Sequence, residues 1–243
     1  MSDYYYFHTP PPPALAQPGG PQPSIWLLAG SSNLIRDHRG AGHCTGSGSL
    51  PLTNTYPGGK KAWVFDGATQ LAITDHLLNT SSNMVFAFQF AAPDYAGQHY
   101  LMTLGNGSGA GPGHVDSYTD GSQFIFRSNS PAGLGSSISH YMLAPGEANS
   151  LAYFLNHDND PAEPTLRLIT PQAPEASFSS DFGHVDPGVF ANEPVFLFSG
   201  GYGGGIPFVP NTLIRSVLAW PVTAGVSPDK VRGEWHPYLD SLP

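Results

Sequence analysis

The feature that most constrains this chain is a side-chain period of two, repeated in short runs and broken by turn residues. Met84, Phe86, Phe88 and Phe90 alternate with Val85, Ala87 and Gln89, and Leu151, Tyr153 and Leu155 alternate with Ala152 and Phe154. Tyr100, Met102 and Leu104 alternate with Leu101 and Thr103, Leu166 and Leu168 with Arg167 and Ile169, and Phe124 and Phe126 flank Ile125. Successive side chains of a strand point to opposite faces, so these runs read as strands and not as helices. Asn106-Gly107, Asp120-Gly121, Pro145-Gly146, residues 156–161 and the Gly-rich residues 200–205 separate them with turn chemistry. The pattern predicts roughly ten to twelve short strands and almost no helix. Large side chains on one parity of each strand imply two antiparallel sheets packed face to face, an all-β sandwich.

The two ends of the body are equally legible. Ile25-Trp26-Leu27-Leu28-Ala29 predicts a first strand, residues 30–61 a polar, Gly-rich connection turning at Gly58-Gly59, and Ala62-Trp63-Val64-Phe65 the next strand. Residues 195–198 are apolar on both faces, and residues 212–220 form a closing strand. After it, Ser227 is placed to cap a single helical turn with Pro228 at its first position, where the missing N–H costs nothing. Residues 1–24 differ from this body of 25–243. Tyr4, Tyr5, Tyr6 and Phe7 precede Pro10, Pro11, Pro12 and Pro13, a run that favours polyproline II and cannot enter a sheet interior. This segment reads as an extended, Pro-rich anchoring arm: aromatic rings supply contact area and the prolines reduce the entropy lost on ordering.

These pieces, in order, resemble laminin-G-like domains of the concanavalin A-like lectin/glucanase jelly-roll fold. Trp63-Val64-Phe65-Asp66-Gly67 is similar to that family's first core strand, residues 83–91 to the following strand of alternating aromatics, and residues 101–106 to the next strand with its terminal turn. Residues 151–160 stand where the family places a strand and an Asp-containing hairpin, and residues 195–199, 214–220 and 227–231 resemble its closing segment. The likeness spans roughly 60–235. It departs from the family in the hairpin, where Asn156-His157-Asp158-Asn159-Asp160 replaces the usual Asp-Gly. The resemblance implies a lectin-like sandwich. Because the family spans glycan binding, adhesion, hydrolysis and structural modules of phage particles, it implies no single activity.

Composition excludes several classes. With nine Lys and Arg scattered along a chain of net charge −9, no basic stripe exists to displace counterions from nucleic acid or to attach to an anionic membrane. Cys44 is the single cysteine, so no intrachain disulfide or cysteine metal cluster can form; His43 beside it supplies too few ligands for zinc. The opening residues carry neither a basic nor an apolar signal region, so no secretory leader is expected. Glycosidases need two carboxylates flanking the scissile bond, and those of this fold align them at period two on one strand. The five Glu (147, 163, 175, 193, 234) show no such spacing, Gly46-Ser47-Gly48-Ser49 is no nucleophile elbow, and residues 200–205 lack the Lys and helix of a phosphate loop. The chain is expected to be non-enzymatic.

Three sets of residues remain as binding candidates. His114, Asp116, Tyr118 and Asp120 alternate, so one strand would show them on one face, where a ring and carboxylates suit a sugar; Tyr202 in the Gly-rich loop could add a second ring. Asp158, Asn159 and Asp160 put three oxygen ligands on one turn, the start of a surface Ca²⁺ site; no other cofactor is implied. The aromatic and proline residues of 1–24 would bind a capsid or neighbouring structural subunit. On sequence alone, the expectation is a structural or adhesion protein displayed on a larger oligomeric assembly: a phage virion decoration, fibre or tail component, localised to the virion and released by lysis. The alternative is a free lectin binding cell-surface glycans, with or without Ca²⁺.

Overall fold

The computed structural model describes residues 15–20, 22–23, 25–30, 44–45, 50–68, 71–73, 84–104, 115–121, 123–129, 135–141, 145–155, 166–170, 173–178, 195–197, 208–221 and 226–243. These residues form two antiparallel sheets. In the eight-stranded sheet the spatial order is β13 (Ala173–Phe178), β12 (Leu166–Thr170), β11 (Asn149–Leu155), β6 (Met84–Ala91), β15 (Leu213–Pro221), β4 (Lys60–Val64) and β3 (Leu52–Tyr56). β1 (Ile25–Leu28) pairs with β15 from Ser216 to Ala219, beyond the Leu213 and Ile214 that β4 occupies. The seven-stranded sheet runs β10 (Gly135–Tyr141), β9 (Gln123–Asn129), β8 (Val115–Asp120), β7 (Gln98–Leu104), β14 (Val195–Leu197), β5 (Leu71–Ile73) and β2 (Cys44–Thr45). The expected two-sheet β-sandwich is present.

Alternation builds the inter-sheet core. Phe86, Phe88 and Phe90 of β6, with Ile214, Val217 and Ala219 of β15 and Ile25 and Leu27 of β1, join Leu101, Met102, Phe124 and Leu197 of the other sheet in one buried cluster. Each ring withdrawn from water in this way contributes about 2–3 kcal/mol. Phe90 meets Phe208 edge to face, ring centroids 5.5 Å apart.

Three expectations need correction. First, residues 30–61 are more than a connection, because they contain β2 and β3 and the start of β4. β3 is an edge strand whose Asn54 and Thr55 are exposed, so it carries no apolar alternation to detect. The Gly58-Gly59 turn does lie where expected, both residues at positive φ.

Second, the helical turn at Ser227 continues to the end of the chain. The Ser227 hydroxyl accepts the Lys230 N–H (3.2 Å) at the start of α1 (Pro228–Lys230). A π-helical turn (Val231–Trp235) and α2 (His236–Ser241) then follow without a break.

Third, the eight-stranded sheet is covered on both faces, where a simple sandwich covers one. Val231, Trp235 and Leu239, four residues apart, lie on Val85 and Ala87 of β6 and Leu218 and Trp220 of β15, with Trp26 and Leu28 of β1 alongside. Trp235 centres this layer, edge-on to Trp26 at 5.7 Å and inclined to Trp220 at 5.1 Å. The N-terminal segment lies against the same helices: Leu15 N–H donates to Ser241 Oγ (2.9 Å), Lys230 Nζ to the Gly19 carbonyl (2.7 Å), and Pro18 and Pro23 are buried.

Candidate functional site

The covered sheet leaves the outer face of the seven-stranded sheet as the place to look for a site. Its parity is set by the core. Ser117 and Thr119 of β8 are fully buried and stand opposite Met102 and Phe124, which belong to the inter-sheet core. Asp116, Tyr118 and Asp120 therefore occupy the other, outward parity. The register sets Tyr118 between Tyr100 and Ile125, Asp120 between Gln98 and Gln123, and position 116 between Thr103 and Arg127.

A bulge in β7 gives this face its second ring. The β7–β8 register shifts between Tyr100 and Met102, and Leu101 and Met102 both enter the core. The expected alternation of Tyr100 with Met102 is thus broken, and Tyr100 faces outward beside Tyr118. Their ring centroids are 5.2 Å apart with planes tilted by 41°. Tyr118 is only 8 % exposed, so its own ring is largely covered, while Tyr100 is half-buried. Asp120 is exposed at the head of the β8–β9 turn, where Gly121 adopts φ 63°. Gln98 and Gln123, both half-buried, flank it with amides that donate and accept. A sugar stacks its C–H groups on the face of an aromatic ring and exchanges hydrogen bonds with carboxylates and amides beside it.

Tyr118 and Asp120 share one face with Tyr100 and Gln98, and the β8 register gives position 116 the same parity. His114, Tyr202, the Asp158, Asn159 and Asp160 turn, and the Tyr4 to Phe7 and Pro10 to Pro13 runs lie outside the described residues. Among the described residues no group of three or more His, Cys, Asp or Glu could hold a metal ion.

A second polar cluster lies under the end of α2. A bulge between Ile214 and Ser216 directs Arg215, fully buried, toward the helix. Its Nη1 donates to the Lys61 carbonyl (3.0 Å) and its Nη2 to the carbonyls of Leu239 (2.9 Å) and Leu242 (2.8 Å). Lys60 Nζ donates to the carbonyls of Asp240 and of Leu242 (2.8 Å). Gln89, the polar break in β6, donates to Asp240 Oδ1 (2.7 Å) and accepts from the Ser216 hydroxyl (3.0 Å). Burial raises the Asp240 carboxyl above its ordinary range despite Gln89, Arg215 and Lys60, and burial also lowers Lys60, with Arg215 adding to the effect. The cations here serve the carbonyls that a helix end leaves without partners. This cluster is a clamp on the C-terminal helix. One charged residue inside the apolar run Leu213–Pro221 was its sequence signal.

No family model matches this sequence, and no curated protein matches it. Solved structures do resemble it. The CBM40 domain of the Ruminococcus gnavus IT-sialidase, bound to α2,3-sialyllactose, superposes with a TM-score of 0.53 at 12 % identity, over 66 % of this chain and 89 % of that one. The binding domain of botulinum neurotoxin serotype D gives 0.61 at 9 % identity, over 87 % of this chain and 50 % of the toxin domain. The serotype C1 binding domain gives 0.61 at 10 % identity, over 90 % and 52 %. The chain thus spans about half the length of the toxin domains. At such identities the likeness establishes the fold. The fold they share with this chain is the β-sandwich.

Proposed function

We propose that this chain is a non-catalytic carbohydrate-binding domain and that the outer face of the seven-stranded sheet, around Tyr100, Tyr118, Asp116 and Asp120, is its platform. The observation that carries the reading is the asymmetry of the two sheets. One outer face is covered by helices, whereas the other sets an aromatic pair beside a carboxylate and two amides. The CBM40 neighbour, a sandwich of the same kind seen with a sialylated sugar, supports it. The alternative, display on a larger assembly such as a phage virion through residues 1–24, draws on the composition of that segment alone. The structural neighbours favour glycan binding over it.

The test is a glycan array on the full chain, followed by calorimetry with the best ligand, with and without EDTA. Tyr100→Ala and Asp120→Ala should each weaken binding at least tenfold, about 1.4 kcal/mol or more. Asp120→Ala should leave the melting temperature nearly unchanged, because the side chain is exposed. Loss of binding in EDTA would bring the turn at Asp158, Asn159 and Asp160 into the site as a Ca²⁺ position. Full binding by both alanine variants would remove the platform from this face. Silence across the array would remove the carbohydrate reading.

A further inference from the structure

Within the layer that covers the eight-stranded sheet lies one polar ring. His236, the first residue of α2, is 1 % exposed, and neither Nδ1 nor Nε2 makes a hydrogen bond of good geometry, the Leu151 backbone acting on the ring only weakly. A neutral imidazole carries one donor and one acceptor, and a buried ring that satisfies neither loses the water contacts of both. Protonation would add a second donor and a full charge to the same enclosed site, which favours any arrangement that returns the ring to water.

Among the described residues, no acidic side chain is placed to pair with that charge. β6 and β1 contain no ionisable residue, and the described side chains of β11 are Asn149, Ser150 and Leu151. The helical segment carries Asp229, Lys230, Arg232, Glu234, Tyr238 and Asp240; β15 contributes Arg215, β4 Lys60 and Lys61, β3 Tyr56, and the loops Tyr95 and Glu147. Glu234 is 3.9 Å from Lys230, and Asp240 is bonded to Gln89. Only the Leu151 backbone favours the charged ring, and burial outweighs it.

The apolar contacts beneath the helices form a cluster separate from the inter-sheet core. The two can therefore part without the sheets unfolding.

We propose that His236 makes the C-terminal helical segment, residues 228–241, an acid-released clasp on the eight-stranded sheet. In neutral solution the clasp is closed. As the solution becomes acidic the ring takes a proton and the segment undocks from the sheet. The glycan reading does not bear on this inference.

Burial lowers the ring to about 4 from the ordinary 6.5. Between those values the undocked ring is protonated and the docked ring is not, so docking weakens steadily as pH falls from 6.5. The loss runs at about tenfold per unit, reaches about 150-fold in the docking equilibrium at pH 4 and levels off near about 300-fold below it. Asp240, whose carboxyl is raised, works in the opposite sense at the acid end of this window.

The experiment is hydrogen exchange and limited proteolysis of the full chain from pH 7 to pH 4, with tryptophan emission and far-ultraviolet circular dichroism in parallel. Residues 228–241 should lose protection and tryptophan emission should shift to the red while the sheet signal persists. His236→Phe should keep the segment protected to lower pH than the wild type. If His236→Phe fails to fold, His236→Gln serves, since it holds a similar volume and cannot take the proton. Loss of segment and sheets together in the wild type would overturn the clasp. Release of either folded variant at the wild-type pH would overturn the role of the ring.

Discussion

Replacing Arg215 by alanine should cost about 3–4 kcal/mol, and the structure lets that figure be assembled. The guanidinium serves three carbonyls. The bond to Leu239 is fully buried, and those to Lys61 and Leu242 are reached at the margin of the helix. Losing the charge-assisted bond to the buried Leu239 carbonyl costs about 1.5–3 kcal/mol, although that carbonyl keeps the Leu242 N–H (3.2 Å). The two marginal carbonyls regain water and together cost about 1 kcal/mol. Lys60 still holds Leu242, which limits that loss. The buried stem of the side chain leaves a void worth about 1–2 kcal/mol. Against these stands the relief of a desolvated charge, for burial already pulls the guanidinium below its ordinary value.

Two further variants separate the terms. Arg215→Lys keeps a charge but loses the planar fork that reaches three acceptors, and should cost about 1–2 kcal/mol. Arg215→Met fills the void and removes the charge, and should fall between lysine and alanine. Denaturant unfolding at pH 7 measures the totals, and hydrogen exchange localises them to the last turn of α2. Arg215→Ala within about 0.5 kcal/mol of the wild type, with unchanged exchange at residues 239–242, would refute the reasoning.

Two other substitutions test the layers on either side. Trp235→Ala removes the centre of the aromatic cluster with Trp26, Trp220 and Tyr238 and should cost about 3–5 kcal/mol, read by chemical denaturation; a cost below 1 kcal/mol would mean that the helices are merely draped on the sheet. Gly67→Ala sets a side chain at φ 78° with its Cβ 2.7 Å from Pro210 Cγ, so it should lower stability by about 2–3 kcal/mol in thermal melts, whereas Gly59→Ala, equally left-handed but in open space, should cost only about 1 kcal/mol.

How much of this could be read from the chain depends on what each strand touches. β6 announces itself because its large residues fall on one parity, and β15 because it is a long, mostly apolar run that closes the body. The covering helix was harder to see. Ser227 and Pro228 mark its start, but Gly233 and Pro237 read as breakers beyond it. The π turn resolves the conflict. The His236 N–H bonds to the Val231 carbonyl, five residues back, and Pro237, which has no N–H to give, follows at the seam with α2. Spacing of four between Val231, Trp235 and Leu239 then keeps the apolar side on the sheet. A hydrogen-bond slip of one residue leaves no trace in composition, so the helix appeared as a single turn.

The platform was half legible for a related reason. Alternation put Asp116, Tyr118 and Asp120 on one side of a strand, and β8 obeys it because Ser117 and Thr119 pack inward against Met102 and Phe124. What alternation could not supply was the neighbour. Tyr100 turns outward only because β7 admits an extra residue at Leu101, and that bulge exists because Leu101 and Met102 are both wanted in the core. The same device operates in β15, where the bulge at Arg215 delivers a cation to the end of α2. In both sheets, then, a strand breaks its period of two to send one side chain outward: a tyrosine ring to the outer face of the seven-stranded sheet, and a guanidinium to the helix that covers the other. The division of labour between the faces is therefore set by two irregularities, and a reading by period alone must miss both.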